Sequence, residues 1–214
     1  MTPGVRNTVL MCVAFIALVL GAQLYSVLRE PLLDADALRE QGTFLLPAPR
    51  ELKPFRLTDQ HNAQFDKTTL IGHWSLIYFG FTACPDICPV TLSVLAQVEK
   101  KLADSGQRDL LDQLKVYFVS VDPECDDAAT LEKFVVAFSP RFIGVTGSRE
   151  ELAGIAEQLN VAFMKVPDAS GGYVVDHTGN IVVVDPQGRY VAFIKLPHDA
   201  DKILMAYRSI ARSS

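Results

Sequence analysis

Charge is missing from the front of this chain. Between Arg6 and Arg29 no side chain carries one, and the stretch from Val9 to Ala22 is apolar throughout. At ~1.5 Å per helical residue, the uncharged span Asn7–Leu28 is long enough to cross a hydrocarbon layer of ~30 Å. A small-x-small cleavage pattern is also lacking, because Leu20 stands two residues before Ala22. An uncleaved N-terminal transmembrane helix within residues 1–28 is therefore expected over a cleaved signal, and both readings export the remaining chain. Arg6 ahead of the span places the N-terminus on the cytoplasmic side by default. Basic residues are in deficit, 20 Lys and Arg against 25 Asp and Glu. With no basic stripe and interleaved aromatics, nucleic acid is not the expected partner. Cysteine is scarce as well, four in 214 residues. Cys12 falls in the apolar span and reads as a small hydrophobe, which leaves Cys84, Cys88 and Cys125 in the exported part. An odd number excludes a fully paired disulfide framework. Free thiols in an oxidising compartment have a redox or metal role, or are simply unpaired. Repeats and low-complexity tracts are absent, and the length suits one sizeable domain behind the apolar segment.

What is present centres on LIYFGFTACPDICPVTLSVL, from Leu76 to Leu95. Leu76, Ile77, Tyr78, Phe79 and Phe81 form a short apolar run suited to a strand buried on both faces. Pro89 suits the first turn of a helix, and Leu92, Leu95, Ala96 and Leu102 then recur at helical spacing to about Asp104. Cys84 and Cys88 thus sit where a strand hands over to a helix N-terminus, a position that favours the thiolate and is expected to lower a thiol's pKa.

Residues 29–54, with Pro31, Pro47, Pro49 and Pro54, read as a tether holding one short helical turn at Asp36–Gln41. From Phe55 the chain alternates strand and helix. A hairpin turns at Asp59–Asn62, and a second buried strand covers Lys115–Val121. Helices are expected at Asp126–Phe138 and from Ser148, where Glu151 completes a capping-box pattern. Short strands follow at Phe142–Val145, Tyr173–Val175, Ile181–Val184 and Tyr190–Ile194, the last two joined by a turn at Asp185–Arg189. A helix over Asp199–Ala211 closes the chain. The pattern predicts an α/β fold, a central sheet flanked by helices in one domain over 55–214. In such folds functional groups gather outside the C-terminal ends of the parallel strands, here Thr82–Cys88 and Asp122–Cys125, with the loop Asp176–Gly179 as a third contributor.

Two thiols three residues apart serve a disulfide or a soft metal. The spacing departs from the thioredoxin-type pair but does not exclude redox work. Two thiolates and one imidazole would make a trigonal site for a soft ion such as Cu(I). Of the histidines, His61 lies in a polar turn, His73 at the far end of the strand, and His198 at the start of the last helix, all read as solvated or capping. His177, on a loop able to fold back over the cysteines, is the candidate third ligand, and Asp176 is a candidate to orient its ring. Asp86, Asp122 and Asp126 read first as helix-turn, strand-end or cap residues.

The segments FGFTACPDICP, VDPECD, RFIGVTG and VVDHTGNIVVVDPQGRYV, in that order, resemble the Sco/SenC family of membrane-anchored copper proteins. The resemblance runs from about Phe55 to the end. It implies a thioredoxin-like fold holding copper, Cu(I) or Cu(II), through the counterparts of Cys84, Cys88 and His177. It also implies a role in assembling the dinuclear copper centre of cytochrome c oxidase subunit II, as a metallochaperone, as a thiol reductase using the redox pair Cys84 and Cys88, or as both. The protein expected is a single-pass inner-membrane one, with a monomeric soluble domain on the periplasmic side. Two positions depart from the family pattern. Ala83 stands where many members have His, and Cys125 stands where a basic residue is usual.

Overall fold

A computed structural model describes residues 3–28, 32–167 and 173–213; residues 1–2 of the expected anchor and 29–31 of the expected tether lie outside the described residues. The chain divides into two units, Met1–Leu32 and Leu33–Ser214. The first holds helix α1, Pro3–Leu28, whose described large side chains from Leu10 to Leu20 are exposed. Among the described residues no helix is long and apolar enough to cross a membrane. The transmembrane expectation therefore rests on the uncharged sequence alone.

The second unit opens with helix α2, Ala35–Glu40, whose first turn is capped by the Asp34 carboxylate accepting from the Ala37 N–H. Strand β1, Thr43–Glu51, follows. These elements correct the tether expectation for all but its first residues, since β1 pairs antiparallel with a strand near the C-terminus, Thr43 opposite Ile194 and Phe44 opposite Phe193. Prolines suggested a linker, yet Pro47 and Pro49 fall where the register shifts between Leu45 and Arg50 on an edge strand. An edge is where a sheet tolerates residues without an N–H.

Strands β2, Arg56–Asp59, and β3, Gln64–Asp66, form the expected hairpin. The Asp59 carboxylate accepts from the His61 and Ala63 N–H groups in its turn. Strand β4, Trp74–Gly80, is buried at every residue. Helix α3, Ile87–Asp104, buries Cys88, Thr91, Leu92, Leu95, Val98 and Leu102 at three- and four-residue spacing. After the short helix α4, Arg108–Asp112, come strand β5, Leu114–Ser120, and helix α5, Ala128–Val136. Strand β6, Ile143–Thr146, leads into helix α6, Arg149–Gln158. Ser148 caps α6 by accepting from the Glu151 N–H, but the Glu151 carboxylate turns away to the Arg56 N–H, so only half of the expected capping box forms. Strands β7, Phe163–Pro167, and β8, Tyr173–His177, make a separate two-stranded ribbon. Strands β9, Ile181–Val184, and β10, Arg189–Ile194, precede the final helix α7, Ala200–Ser213.

The main sheet runs β1-β10-β9-β4-β5-β6-β2-β3. Complete burial of β4 and β9 requires cover on both faces, and α3 and α7 provide part of it by packing together. Because β4, β5 and β6 are parallel, their C-terminal ends open on one edge. Strand β9 runs antiparallel to β4 with Ile181 opposite Tyr78, so the segment entering β9 arrives at that same edge. Topology alone therefore brings His177 to the end of the strand that leads to the cysteines.

The first residues after β4 are pinned from the neighbouring strand's loop. Buried Asp126 accepts from the Thr82 N–H at 3.0 Å and hydroxyl at 2.5 Å, and from the Ser120 hydroxyl at 2.6 Å. The carboxylate, read from sequence as a cap, instead locks the cysteine turn to the end of β5.

Removing residues 1–54 is expected to unfold or aggregate the domain, whereas a chain beginning at Leu33 keeps it. The shorter chain loses β1 and the buried Leu38 and Leu52, a loss of about 3–6 kcal/mol at ~1.5–3 kcal/mol per leucine. Urea unfolding and gel filtration of the two chains check this; equal stability would show that β1 is dispensable.

Candidate metal centre

A missing side chain makes the site possible. Gly80 ends β4, and a Cβ there would lie 2.8 Å from the Cys88 sulfur and 2.7 Å from the Phe118 ring. Only glycine lets the first turn of α3 press its cysteine against the strand end. Cys88 is fully buried as a result, while Cys84, in the turn closed by its N–H donating to the Phe81 carbonyl at 3.2 Å, is 9% exposed. Both cysteines are free thiols.

His177 completes the group. Its Nε2 lies 3.6 Å from the Cys88 sulfur, and its Nδ1 faces the Thr178 carbonyl at 3.3 Å. An Nδ1–H donated to that carbonyl leaves the Nε2 lone pair toward the sulfurs, the tautomer a metal needs. The ring stands edge-on to Tyr78 at 5.9 Å and Phe81 at 6.2 Å. Thr178, not Asp176, is thus the residue that faces the other side of the ring, and Asp176 is exposed. Thr178 is itself fixed, its N–H donating to the Ala162 carbonyl at 2.8 Å and its hydroxyl accepting from the Ala162 N–H at 3.0 Å. A shallow cavity of about 310 Å³ lined by Phe163, Met164, His177 and Thr178 opens beside the ring.

The two sulfurs and one imidazole nitrogen lie within 4.8 Å of one another. Donors that close can converge on one ion at the ~2.0–2.3 Å typical of transition-metal N and S bonds with small side-chain adjustments. Two thiolates and an imidazole form a soft set. Among the described residues no other group of three His, Cys, Asp or Glu side chains converges in this way.

The electrostatics differ from the sequence expectation in one respect. Burial pushes the Cys88 thiol up to about 12, with the neighbouring Cys84 adding to the shift. The helix N-terminus cannot offset the loss of water around a fully enclosed sulfur. Burial lowers His177 below the usual histidine range, so its imidazole is neutral at pH 7.

The ribbon carrying His177 is fastened by Asp122, read from sequence as a strand-end residue, together with Lys165 and Tyr173, which the sequence did not single out. Asp122 is buried and accepts from the Tyr173 hydroxyl at 2.9 Å, and the Lys165 ammonium meets it at 2.7 Å. Lys165 also pairs with Glu124 at 2.5 Å and sits 4.0 Å over the Tyr173 ring. Asp122 therefore docks the ribbon rather than ending a strand. Cys125 is exposed, 3.3 Å from the Tyr173 hydroxyl, and is not part of the donor group. Asp86 precedes α3 as N-cap without a side-chain hydrogen bond, and Ala83 is exposed. His61 is exposed as expected, but His73 and His198 are half-buried. His73 Nε2 lies 2.8 Å from the Tyr117 hydroxyl, and His198 Nδ1 lies 3.0 Å from the Thr91 hydroxyl. Burial drives His198 down to about 4, so it too is neutral. An isolated Lys165 gave no signal in the sequence; only the pairing of β7 with β8 brings it to Asp122 and Tyr173.

A family model described as SCO1/SenC matches residues 46–212. The Arabidopsis thaliana protein named "Protein SCO1 homolog 1, mitochondrial" is 35% identical over 150 residues, covering 70% of this chain and 44% of that protein. The chain thus spans less than half the length of that relative. Arabidopsis thaliana ScoI, solved with copper bound, superposes with a TM-score of 0.68 at 33% identity, over 75% of this chain and 98% of that one. BsSco, in which a disulfide switch was identified and which is described as a member of the Sco family of cytochrome c oxidase assembly proteins, superposes with a TM-score of 0.61 at 25% identity, over 78% of this chain and 97% of that one. Set beside the sheet order, the cysteine turn and the His177 ribbon, these matches show that the chain belongs to the SCO1/SenC family.

Proposed function

We propose that this protein carries copper as cargo, held by Cys84, Cys88 and His177, and delivers it during assembly of the dinuclear copper centre of cytochrome c oxidase. The partner is subunit II or another copper-site apoprotein. The observation that carries the reading is the meeting of two sulfurs and an imidazole from separate elements within 4.8 Å. Copper in the Arabidopsis relative and oxidase assembly in the description of BsSco support it.

The residues divide the work. Cys88, enclosed between α3 and Gly80, holds the ion from behind. Cys84, nearer the surface, is the sulfur that an incoming thiolate of the acceptor replaces first. His177 supplies a neutral nitrogen without proton competition near pH 7. Two thiolates leave the loaded site with one negative charge for Cu(I) and none for Cu(II), so neither state strands a large charge in a half-buried turn.

A thiol–disulfide oxidoreductase acting on the partner's cysteines is the second reading, favoured by the two free thiols and the disulfide switch of BsSco. It needs both cysteines but not His177. We further propose that the domain is exported and tethered through residues 1–28, on the strength of the uncharged span Asn7–Leu28.

Full-length protein is expected to bind about one copper per chain; Cys84→Ser, Cys88→Ser and His177→Ala each reduce binding at least tenfold in chelator competition. Copper held by His177→Ala as tightly as by wild type, with disulfide reduction intact, would hand the function to the oxidoreductase reading. Affinity for Cu(I) also depends on pH. Cys88 is protonated below about 12, so copper displaces its proton, and affinity rises about tenfold per pH unit for each proton released. Competition titrations at pH 6, 7 and 8 measure the slope, and a flat profile removes Cys88 from the ligand set. For the tether, the protein is expected to stay with membranes after alkaline carbonate extraction; release into the supernatant would replace the anchor with a cleaved signal.

A further inference from the structure

The outward side of the His177 ribbon is apolar and uncovered. Side chains alternate across a strand, so Phe163, Lys165, the buried Val175 and His177 share the inner face, and Met164 and Val166 share the outer one. Met164 is 62% exposed and Val166 37%. Between β7 and helix α6 lies a cavity of about 630 Å³ floored by Val121, Leu152, Ala156 and Val161, all buried. Ala153 and Met164, which also line it, are exposed. The smaller cavity beside the His177 ring adjoins it, since Ala162, Phe163 and Met164 line both. Two more exposed apolar residues adjoin the donor group in the chain. Val90, half exposed, is two residues past Cys88. Leu196 lies against Gly179, two residues past His177, where an added Cβ would meet it at 2.6 Å. The uncommitted charges here are acidic. Asp86, between the cysteines, and Asp176, opposite Met164, are exposed, whereas Lys165 and Arg149 are engaged by Asp122 and Glu124. An exposed apolar patch rimmed by polar groups marks an interaction surface, and a cavity of this size admits a large side chain.

We propose that the copper acceptor docks on this surface, seating an apolar anchor side chain in the cavity between α6 and β7. The acceptor is a polypeptide with a thiol pair for the metal, an apolar residue near that pair and basic residues that meet Asp86 and Asp176. This rests on the copper-delivery reading. The occupant follows from position and charge. A thiolate that takes the ion must reach Cys84, the sulfur nearer the surface, so the protein carrying it covers this edge of the sheet. The His177 ribbon and its cavity adjoin that edge. A second copy of this chain would set its own acids against Asp86 and Asp176, a juxtaposition that costs binding energy. A single buried anchor in a pocket supplies a large share of the energy of such a contact, and the exposed apolar residues around it keep water out.

The test is transfer of Cu(I) from the loaded full-length protein to the reduced, metal-free copper domain of cytochrome c oxidase subunit II, the acceptor named above. Ala153→Trp fills the cavity from an exposed helix position, and Met164→Glu sets a charge on its exposed wall. Each is expected to slow transfer at least about tenfold, as loss of an interface anchor does, and a higher acceptor concentration restores the rate. Copper affinity in chelator competition stays at the wild-type value, and so does the rate at which the small dithiol dithiothreitol removes the metal. Transfer to subunit II at the wild-type rate by either variant overturns the proposal. Equal slowing toward subunit II and dithiothreitol also overturns it, because the cavity would then act on the ligands and not on a partner. Wild-type protein that binds copper but passes none to subunit II sinks the delivery reading itself, and this surface loses its occupant with it.

Discussion

Burying a thiol against the end of the central strand is the constraint around which the site is built. Removing water from the Cys88 sulfur makes its anion costly, so the free protein keeps that thiol protonated. A soft cation reverses that balance by supplying the charge that solvent no longer provides. The seat exists because β4 ends in Gly80, because α3 begins where the backbone can pass close to it, and because Asp126 fixes the turn between them. The helix N-terminus is present as well, but it acts on a sulfur already sealed from water.

The remaining ligand is held by different physics. The cysteines belong to the turn after β4 and the first turn of α3, packed into the main core, whereas His177 ends a two-stranded ribbon paired only with itself. Val175 packs inward from the ribbon, and Asp122, Lys165, Glu124 and Tyr173 fasten it by polar contacts. The ring is oriented locally by the Thr178 carbonyl.

Much of this was legible in the sequence, for physical reasons that differ by element. The buried run before Gly80, the helical spacing after Pro89 and the turn at Asp185–Arg189 are local signals, and the structure reproduces them. His177 was reachable because it precedes a strand entering the same edge. The errors came where local signals mislead. Proline at 47 and 49 suggested a linker, but an edge strand with a register shift absorbs both. Phe163–Pro167 carries no clear alternation and is a strand only because Tyr173–His177 lies beside it. The thiol pKa was misjudged because a helix terminus can be read from sequence and the depth of a sulfur cannot. Asp176 is the sequence's candidate for orienting the ring because carboxylates are the familiar partners, whereas the backbone carbonyl that faces it has no signature in a sequence.

The fastening of the His177 ribbon has a consequence for how firmly the imidazole is held in salt. Glu124 is more than half exposed, and its pairing with Lys165 is weakened by dissolved ions, while the enclosed contact of Lys165 with Asp122 is less sensitive. Ionic atmosphere therefore acts on one arm of the grip and leaves the sulfur arm untouched.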